Sequence, residues 1–477
     1  MKDFSSPQRS PSGGQLKRSI SLFQAVMYGT GLILGAGIYV LIGEAAGIAG
    51  NAMWISFIIA ATIASFTGLS YAELTSVFPK TAAEYVFTKN AAKNSFLAFI
   101  IGCLIVFVAL VFAATVAVGF SGYVFSFLSS YLDIPAIVYA VVLVGAVSFA
   151  NFYGITESMR MNVAFTLIEL AGLVIIIVAG FAFASPAEIN YLEIPDSNNR
   201  GGSSGDGNGG SGAEGIVEPL LSSPLLIAVI SAAGLVFFSY TGFENMANIA
   251  EETKNPSKVI PRALLLAILI TTITYIAVAI SSLALTDGWS KLSASDAPLA
   301  TAAESAFGMG GSFLLGAIAL FATSNTVLMM MISGSRIIFG IAKDGAFPAF
   351  FGKVHERRRT PWVAVITVMI GTLVTIILAS QDIAALANVS VFGIFIVYAA
   401  VNLSLIVLRY RQPDMPRPFR TPISIGKFPV LAGFGLATSI AMLFQFPPNI
   451  AIAGLSVVGA SIVLYVALRK SGSQVSR

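Results

Sequence analysis

The sequence predicts an all-α integral membrane protein with twelve transmembrane helices. Of its 477 residues, 56% are hydrophobic and only 10% are charged, a balance outside the range of soluble domains. Apolar stretches of about 20 residues, enough for a helix to cross a bilayer, recur along the whole chain. These stretches cover residues 21–43, 51–78, 95–124, 134–152, 160–184, 222–249, 260–285, 311–340, 361–380, 384–409, 428–446 and 449–468.

The lysine and arginine residues lie in alternate loops. With the N terminus in the cytoplasm, the cytoplasmic segments hold 25 of the 27 lysine and arginine residues, and only Arg200 and Lys291 fall outside. Positive residues accumulate on the cytoplasmic side of membrane proteins. The sequence therefore predicts a multi-pass protein of the cell membrane with both termini in the cytoplasm. Because topology accounts for the basic residues, the net charge of +4 does not indicate a nucleic-acid partner.

We expect six regions along the chain. They are a disordered cytoplasmic tail (1–20), a first five-helix repeat (21–184), an extracellular flexible loop (185–221), a second five-helix repeat (222–409), the last two helices (428–468) and a cytoplasmic tail (469–477). The extracellular loop contains SNNRGGSSGDGNGGSG, and its content of glycine, serine and asparagine is typical of a flexible linker.

The first apolar stretch, SLFQAVMYGTGLILGAGIYVLIG, carries five glycines. In hydrocarbon every peptide N–H and C=O needs a partner, so a helix is interrupted at that depth only where protein or a polar cavity satisfies the freed groups. An interruption between Gly29 and Gly37 would therefore mark a binding site. Close packing of two helices is the alternative, because Gly31 and Gly35 form a GxxxG spacing.

The sixth apolar stretch repeats this pattern, since Gly234 and Gly242 flank the polar residues Ser239, Tyr240 and Thr241. Each interrupted stretch is the first of a group of five. Paired interruptions at corresponding positions indicate a transporter built from inverted repeats, with its substrate site at the interruptions.

The chemistry of two such interruptions suits a zwitterion. A helix that begins again near Gly37 offers unpaired N–H groups and a positive dipole end, which suit a carboxylate. Carbonyls freed between Phe238 and Thr241 suit an ammonium group. An α-amino acid carries both groups, so we expect an amino acid as the substrate, with the lipid bilayer as the surrounding solvent.

Several long motifs in order resemble the amino acid/polyamine/organocation transporter superfamily, and within it the cationic amino acid transporter group and its prokaryotic relatives. The resemblance spans nearly the whole chain. Its motifs are GLILGAGIYVLIG, SYAELTSVFPKTAAEYVF, GFSGY, GITESMRMN, FFSYTGFENMANIAEETKNPSKVIPRAL, SRIIFGIAKDGAFPAFFGKVHERRRTPWVAV and LRYRQPDMPRPFRTP.

The resemblance implies a LeuT-type fold of two inverted five-helix repeats plus two peripheral helices, working by alternating access as a secondary active transporter. It also implies which residues contact the substrate: the backbone of Gly35, Ala36 and Gly37 for the carboxylate, and the carbonyls of Ile33, Phe238, Ser239 and Thr241 for the amino group. The ring of Phe238 corresponds to the gate over the substrate. A packing role for this ring is the alternative.

Val108 departs from the pattern of the family. Cation-selective relatives have a glutamate at this position, about eleven residues before the motif that reads GFSGY in this chain. Without a carboxylate to meet a guanidinium or ammonium group, we expect the substrate to be a neutral amino acid with a small or medium aliphatic side chain.

Glu169 is a second departure, because proton-coupled relatives often carry a lysine at this position. An ionisable residue inside a membrane is functional by default, so Glu169 is a candidate proton carrier. It could instead hold a sodium ion with groups of the first and eighth stretches, Ser324 being the candidate hydroxyl. A protonated glutamate that only braces neighbouring helices is the third alternative.

Further acidic and basic residues lie near the ends of the predicted helices. We expect Glu244, close to the interruption of the sixth stretch, to bond freed backbone groups rather than the substrate. Glu73, Glu84, Arg336 and Asp344 could form a gate of ion pairs on the cytoplasmic side, or could be solvated.

The residues give little support to other classes of protein. His355 is the single histidine and Cys103 the single cysteine, so HExxH zinc chemistry and a cysteine metal cluster are excluded, and no phosphate-binding loop is present. We expect no enzyme, cofactor or metal, and either H+ or Na+ as the coupling ion. A Na+ symporter, an amino acid or polyamine exchanger, a channel and a sensor that does not transport remain alternatives.

Overall fold

The computed structural model describes residues 16–128, 132–183, 189–195, 223–295, 297–378 and 383–475, which are almost entirely helical. The helices are α1 (Leu22–Ala49), α2 (Met53–Val77), α3 (Ala83–Ala92), α4 (Ser95–Leu128), α5 (Ala136–Tyr153), α6 (Ile155–Phe183), α7 (Pro224–Val236), α8 (Asn245–Asn248), α9 (Pro256–Leu285), α10 (Trp289–Ser293), α11 (Pro298–Phe307), α12 (Met309–Lys343), α13 (Trp362–Leu378), α14 (Ile383–Arg411), α15 (Val430–Leu443) and α16 (Pro448–Val475). Two short strands, β1 (Ser424–Ile425) and β2 (Phe428–Pro429), pair in antiparallel orientation before α15.

Ten stretches of the described helices are long and apolar enough to cross a membrane, and α13 and α15 are shorter apolar helices. Large apolar side chains such as those of Phe149, Phe181 and Phe313 are exposed on the outside of the bundle, as expected for a surface that faces lipid. The predicted class, an all-α integral membrane protein, is confirmed.

The helix ends differ from the apolar stretches in several places. Helix α1 continues to Ala49, beyond the predicted end at residue 43, and α16 continues to Val475, through most of the expected tail at 469–477. Helices α3, α10 and α11 had no counterpart in the prediction, because each is too short to form an apolar stretch of membrane-spanning length. The expected tail at 1–20 and loop at 185–221 fall largely outside the described residues.

Helix α1 occupies the centre of the bundle, where it packs against α6, α7, α9 and α12. Its residues Tyr28, Leu34 and Ile38 are fully buried. A helix that is apolar on all sides is stable when other helices surround it. The central position therefore follows from the composition of this stretch.

Both expected interruptions occur, and they differ in extent. Helix α1 departs from helical geometry at Gly35 alone (φ 9°, ψ −152°) and remains helical on both sides. The sixth stretch is interrupted over a longer range: α7 is followed by a 3-10 turn at Phe237–Tyr240, an extended residue at Thr241 and a positive φ of 119° at Gly242. The interruption of α1 is thus narrower than predicted, which frees fewer peptide groups within the membrane.

Candidate functional site

The interruptions of the first and sixth stretches lie directly against each other. A methyl group added at Gly37 would lie 2.8 Å from both Cα and Oγ of Ser239, and one added at Gly35 would lie 2.5 Å from Oγ1 of Thr326 in α12. Only glycine permits so close an approach. Ala36 continues the backbone of α1 between these two glycines.

The hydroxyl of Tyr275 in α9 joins the two interruptions. It lies within hydrogen-bond distance of the carbonyl oxygens of Ile33, of Leu34 (3.3 Å) and of Ser239 (3.0 Å). A phenol donates one hydrogen at a time, whereas each carbonyl can accept two. The hydroxyl of Tyr275 thus satisfies the freed carbonyls only in part, and each carbonyl oxygen can accept a further hydrogen bond. Tyr275 lies in an apolar stretch, and no local feature of the sequence predicts a role for it.

A cavity of about 490 Å³ reaches the interruptions and is bordered by Gly37, Thr115, Phe238 and Thr323, among mostly apolar neighbours. The ring of Phe238 stacks on that of Phe112 with centroids 5.1 Å apart. The carbonyl of Phe238 accepts hydrogen bonds from Thr241, from its N–H (3.0 Å) and its hydroxyl (2.7 Å).

A much smaller hollow lies on the other side of this stacked pair. Its volume is about 10 Å³, about one water molecule. Val108, which is buried, lines it together with Phe112, Thr241, Glu244 and Ile394. The stacked rings therefore separate the large cavity from a mainly apolar hollow that contains Val108.

Glu244 bonds groups at the interruption. One carboxylate oxygen accepts hydrogen bonds from the N–H of Gly242 (2.9 Å) and the hydroxyl of Tyr398 (2.7 Å), and the other accepts one from the amide of Asn245 (2.8 Å). The side chain is buried. Glu244 thus connects the turn after Ser239 to α14.

Glu169 in α6 is fully buried, and neither of its carboxylate oxygens has a hydrogen-bond partner among the described residues. Tyr39 and Tyr275 lie close enough to Glu169 to interact with it electrostatically, without a hydrogen bond to it. The hydroxyl of Ser324 instead donates to the carbonyl of Leu320 in its own helix (2.7 Å). Ser324 lies two residues from Thr326, about 200° around the helix, so it faces away from the interruption of α1.

A buried polar cluster adjoins the same region. The amide of Asn162 donates to Asn325 (3.0 Å), the amide of Asn325 donates to Thr166 (3.0 Å), and the hydroxyl of Thr166 donates to the carbonyl of Met27 (3.3 Å). The sequence contained a signal for this cluster, because positions 162, 166 and 169 have the spacing of one helix face.

Two buried ion pairs lie at the end of the bundle at which α1 begins, called here the basic end. The guanidinium of Arg336 donates to both carboxylate oxygens of Glu252 (3.1 and 3.2 Å) and to Asn151 (2.5 Å). The N–H groups of Ser19 and Ile20 donate to the backbone carbonyl of Glu252. This network ties the segment before α1 to the end of the sixth stretch and to α12.

Glu73 forms the second pair, with Arg409 (2.8 and 2.5 Å) and with Arg417 (3.1 Å). Glu84 in α3 is also fully buried, and it accepts hydrogen bonds from Tyr71 (3.2 Å) and Asn248. Burial raises the pKa of Glu84 to about 7. The proposed solvated role is therefore wrong for Glu73, Glu84 and Arg336, whereas Asp344 is half-exposed and pairs with Lys89.

A membrane-spanning bundle with two interrupted helices that meet at its centre is the architecture of a multi-pass transporter. A family model described as amino acid permease matches residues 20–468. The chain belongs to the amino acid permease family, which confirms the resemblance drawn from its motifs.

Relatives with assigned names cover most of the chain. Branched-chain amino acid permease BcaP of Bacillus subtilis is 29% identical over 458 residues, which are 90% of this chain and 88% of that protein. The methylthioribose transporter of Bacillus subtilis is 27% identical over 425 residues, 85% of this chain and 84% of that protein. The vacuolar cationic amino acid transporter 4 of Arabidopsis thaliana is 27% identical over 419 residues, 84% of this chain and 64% of that protein.

Proposed function

We propose that this protein is a secondary active transporter that moves a neutral amino acid across the cell membrane by alternating access, coupled to H+. The observation that carries the proposal is the contact between the two interrupted helices, where Tyr275 links the carbonyls of Ile33 and Ser239 beside a cavity. The names of the relatives favour an amino acid among possible solutes.

The proposed architecture is a LeuT-type arrangement of twelve spans, with five-helix repeats at 21–184 and 222–409 and both termini in the cytoplasm. Ten long apolar stretches and two shorter apolar helices support this number. The interruptions in α1 and after α7 support the pairing of the repeats, since each begins one half. On this topology the basic end, closed by Arg336 and Glu252, faces the cytoplasm.

The substrate binds through backbone groups. Its carboxylate meets the N–H groups of Gly35, Ala36 and Gly37, where the outer half of α1 restarts. Its ammonium group meets the carbonyls of Ile33, Phe238, Ser239 and Thr241. Since Tyr275 and Thr241 use only part of the acceptor capacity of these carbonyls, the ammonium group can bond to them as well.

The side chain of the substrate occupies the hollow beside Val108. This hollow has an apolar wall that includes Ile105 and Ile394, which favours an aliphatic side chain and agrees with the name of the branched-chain permease. A volume of about 10 Å³ is too small for such a side chain. Phe238 must therefore move away from Phe112 when the substrate enters, and return to cover it.

Glu169 carries the coupling proton. An isolated carboxylate charge in a dry interior is costly, so the group requires a proton or a cation. Sodium requires several oxygen ligands, and no polar side chain lies within hydrogen-bond distance of Glu169 in the described part of the chain. The orientation of Ser324 toward Leu320 also favours H+ over Na+.

Uptake by proteoliposomes tests the proposal. We expect labelled leucine, isoleucine or valine to accumulate when an inward pH gradient is imposed, and not with an inward sodium gradient alone. An excess of unlabelled neutral amino acid should compete, and lysine or arginine should not. Lysine or arginine as the best competitor would contradict the neutral substrate, and flux without saturation would indicate a channel.

A further inference from the structure

An open cavity of about 550 Å³ lies at the basic end of the bundle, apart from the substrate site. Its walls are the loop after α2, helix α3, the segment before α9 and the ends of α12 and α14. Cavities of this size hold small organic ligands. Four lysines line it: Lys80, Lys89, Lys93 and Lys343.

The charges around this cavity do not balance. Two acidic residues also line it, and each is paired: Glu251 with Lys343 (3.1 Å) and Asp344 with Lys89. Lys80 and Lys93 are exposed and form no ion pair with any residue the structure describes. The cavity therefore presents two uncompensated positive charges on a concave surface.

Gln412 adds a neutral polar group to the same wall. Its amide oxygen has no hydrogen-bond partner among the described residues. The protein therefore leaves this oxygen without a hydrogen-bond donor, and a rotation of the side-chain amide would turn it to a hydroxyl or an ester oxygen next to a bound anion. Lysine ammonium groups bind phosphate as point charges, and basic pockets at the cytoplasmic ends of membrane helices bind anionic headgroups.

We propose that this cavity binds a phosphate ester, and that binding favours the conformation in which the basic end is closed. The phosphate would lie between Lys80 and Lys93, which belong to the loop after α2 and to the end of α3. Glu251, which pairs with Lys343 of α12 and accepts a hydrogen bond from Thr81 (3.2 Å), joins the wall to the interrupted sixth stretch. A ligand that contacts all of these elements binds most tightly while they lie close together. Its binding therefore raises the population of the conformation in which the basic end is closed.

The ester could be a lipid headgroup or a free metabolite, and the test separates these sources. Thermal unfolding of the full chain is measured at low ionic strength in nanodiscs of phosphatidylcholine, titrated with glycerol 3-phosphate, and in nanodiscs that also contain phosphatidylglycerol. The test variant is K80Q/K93Q. The matched control, K353Q/K427Q, removes the same charge from exposed lysines at the same end that do not line the cavity.

We expect saturable stabilisation of the wild type and of the control, with an apparent affinity about tenfold lower for K80Q/K93Q. Stabilisation by glycerol 3-phosphate supports a free ester as the ligand, and stabilisation by phosphatidylglycerol alone supports a headgroup. An equal response of both variants, or no response of the wild type to either probe, would overturn the proposal. Unfolding of both variants without ligand shows whether folding is intact.

Discussion

Replacing Gly37 with alanine tests whether the contact between the two interrupted helices forms the substrate site. A methyl group at this position would lie 2.8 Å from Cα and Oγ of Ser239 and 2.9 Å from its Cβ. Non-bonded carbon atoms pack at about 3.5–4.0 Å, so the methyl group is too close by roughly 0.7 Å. Because Cα is one of these atoms, rotation of the Ser239 side chain cannot relieve the overlap, and the interrupted segment itself must move.

Overpacking of this kind costs about 1–3 kcal/mol. The cost falls on the proposed arrangement, in which the N–H groups of α1 and the carbonyls near Ser239 converge on the substrate, so we expect binding to weaken by about 5- to 150-fold. We expect G37A to raise the KM for leucine uptake into proteoliposomes by a factor in this range. The control is G145A, whose added methyl group would meet no atom within 4 Å.

Folded protein is measured for both variants by size-exclusion chromatography and thermal unfolding. An unchanged KM and maximal rate in folded G37A would refute the placement of the substrate between the two interruptions. An equal rise of the KM in G145A would show that added volume in any membrane helix, rather than this contact, is responsible.

Further predictions concern four side chains. V108E should shift competition for uptake toward arginine and lysine, because a carboxylate would line the hollow, and an unchanged preference would contradict this placement. E169Q should abolish accumulation driven by a pH gradient while counterflow of substrate continues; unchanged coupling would exclude an active role. Y275F removes the shared donor to the carbonyls of the two interruptions and should lower stability by about 1–3 kcal/mol in thermal unfolding. With a raised pKa of about 7, folded Glu84 retains a proton that the unfolded chain releases near pH 4.5. The resulting stabilisation is complete below that pH and is lost as the pH rises to about 7, which lowers the free energy of unfolding by about 3 kcal/mol. The unfolding temperature of the wild type, measured relative to that of E84Q, should therefore fall across this pH window.

Several features of the site could be predicted from local sequence. The glycines of α1 and the polar residues between Gly234 and Gly242 predicted both interruptions, because few residue types allow a helix to break within a membrane. The extent of the interruption in α1 could not be predicted. It depends on how closely Thr326 and Ser239 approach Gly35 and Gly37, which is set by helices far away in sequence.

The choice between neighbouring polar residues also required the structure. Ser324 and Thr326 are equally plausible in sequence, but only the rotation of α12 about its axis decides that Thr326 faces Gly35. The same holds for Arg336, for which the sequence left both a gate of ion pairs and a solvated role open. Its burial against Glu252 depends on the approach of two distant segments.

The sequence by itself determined the class of protein, its membrane-spanning stretches and the positions at which two of them break. These features follow from the bilayer, because a helix that crosses it needs an apolar stretch of a set length and a partner for each of its backbone groups. Only the tertiary structure decided that Tyr275 bridges the two interruptions, that Phe238 stacks on Phe112 between two cavities, and that Glu169 has no hydrogen-bond partner in the described part of the chain. Such contacts join residues that are far apart in the chain. They depend on how packed helices are rotated and positioned relative to each other, which local composition does not encode.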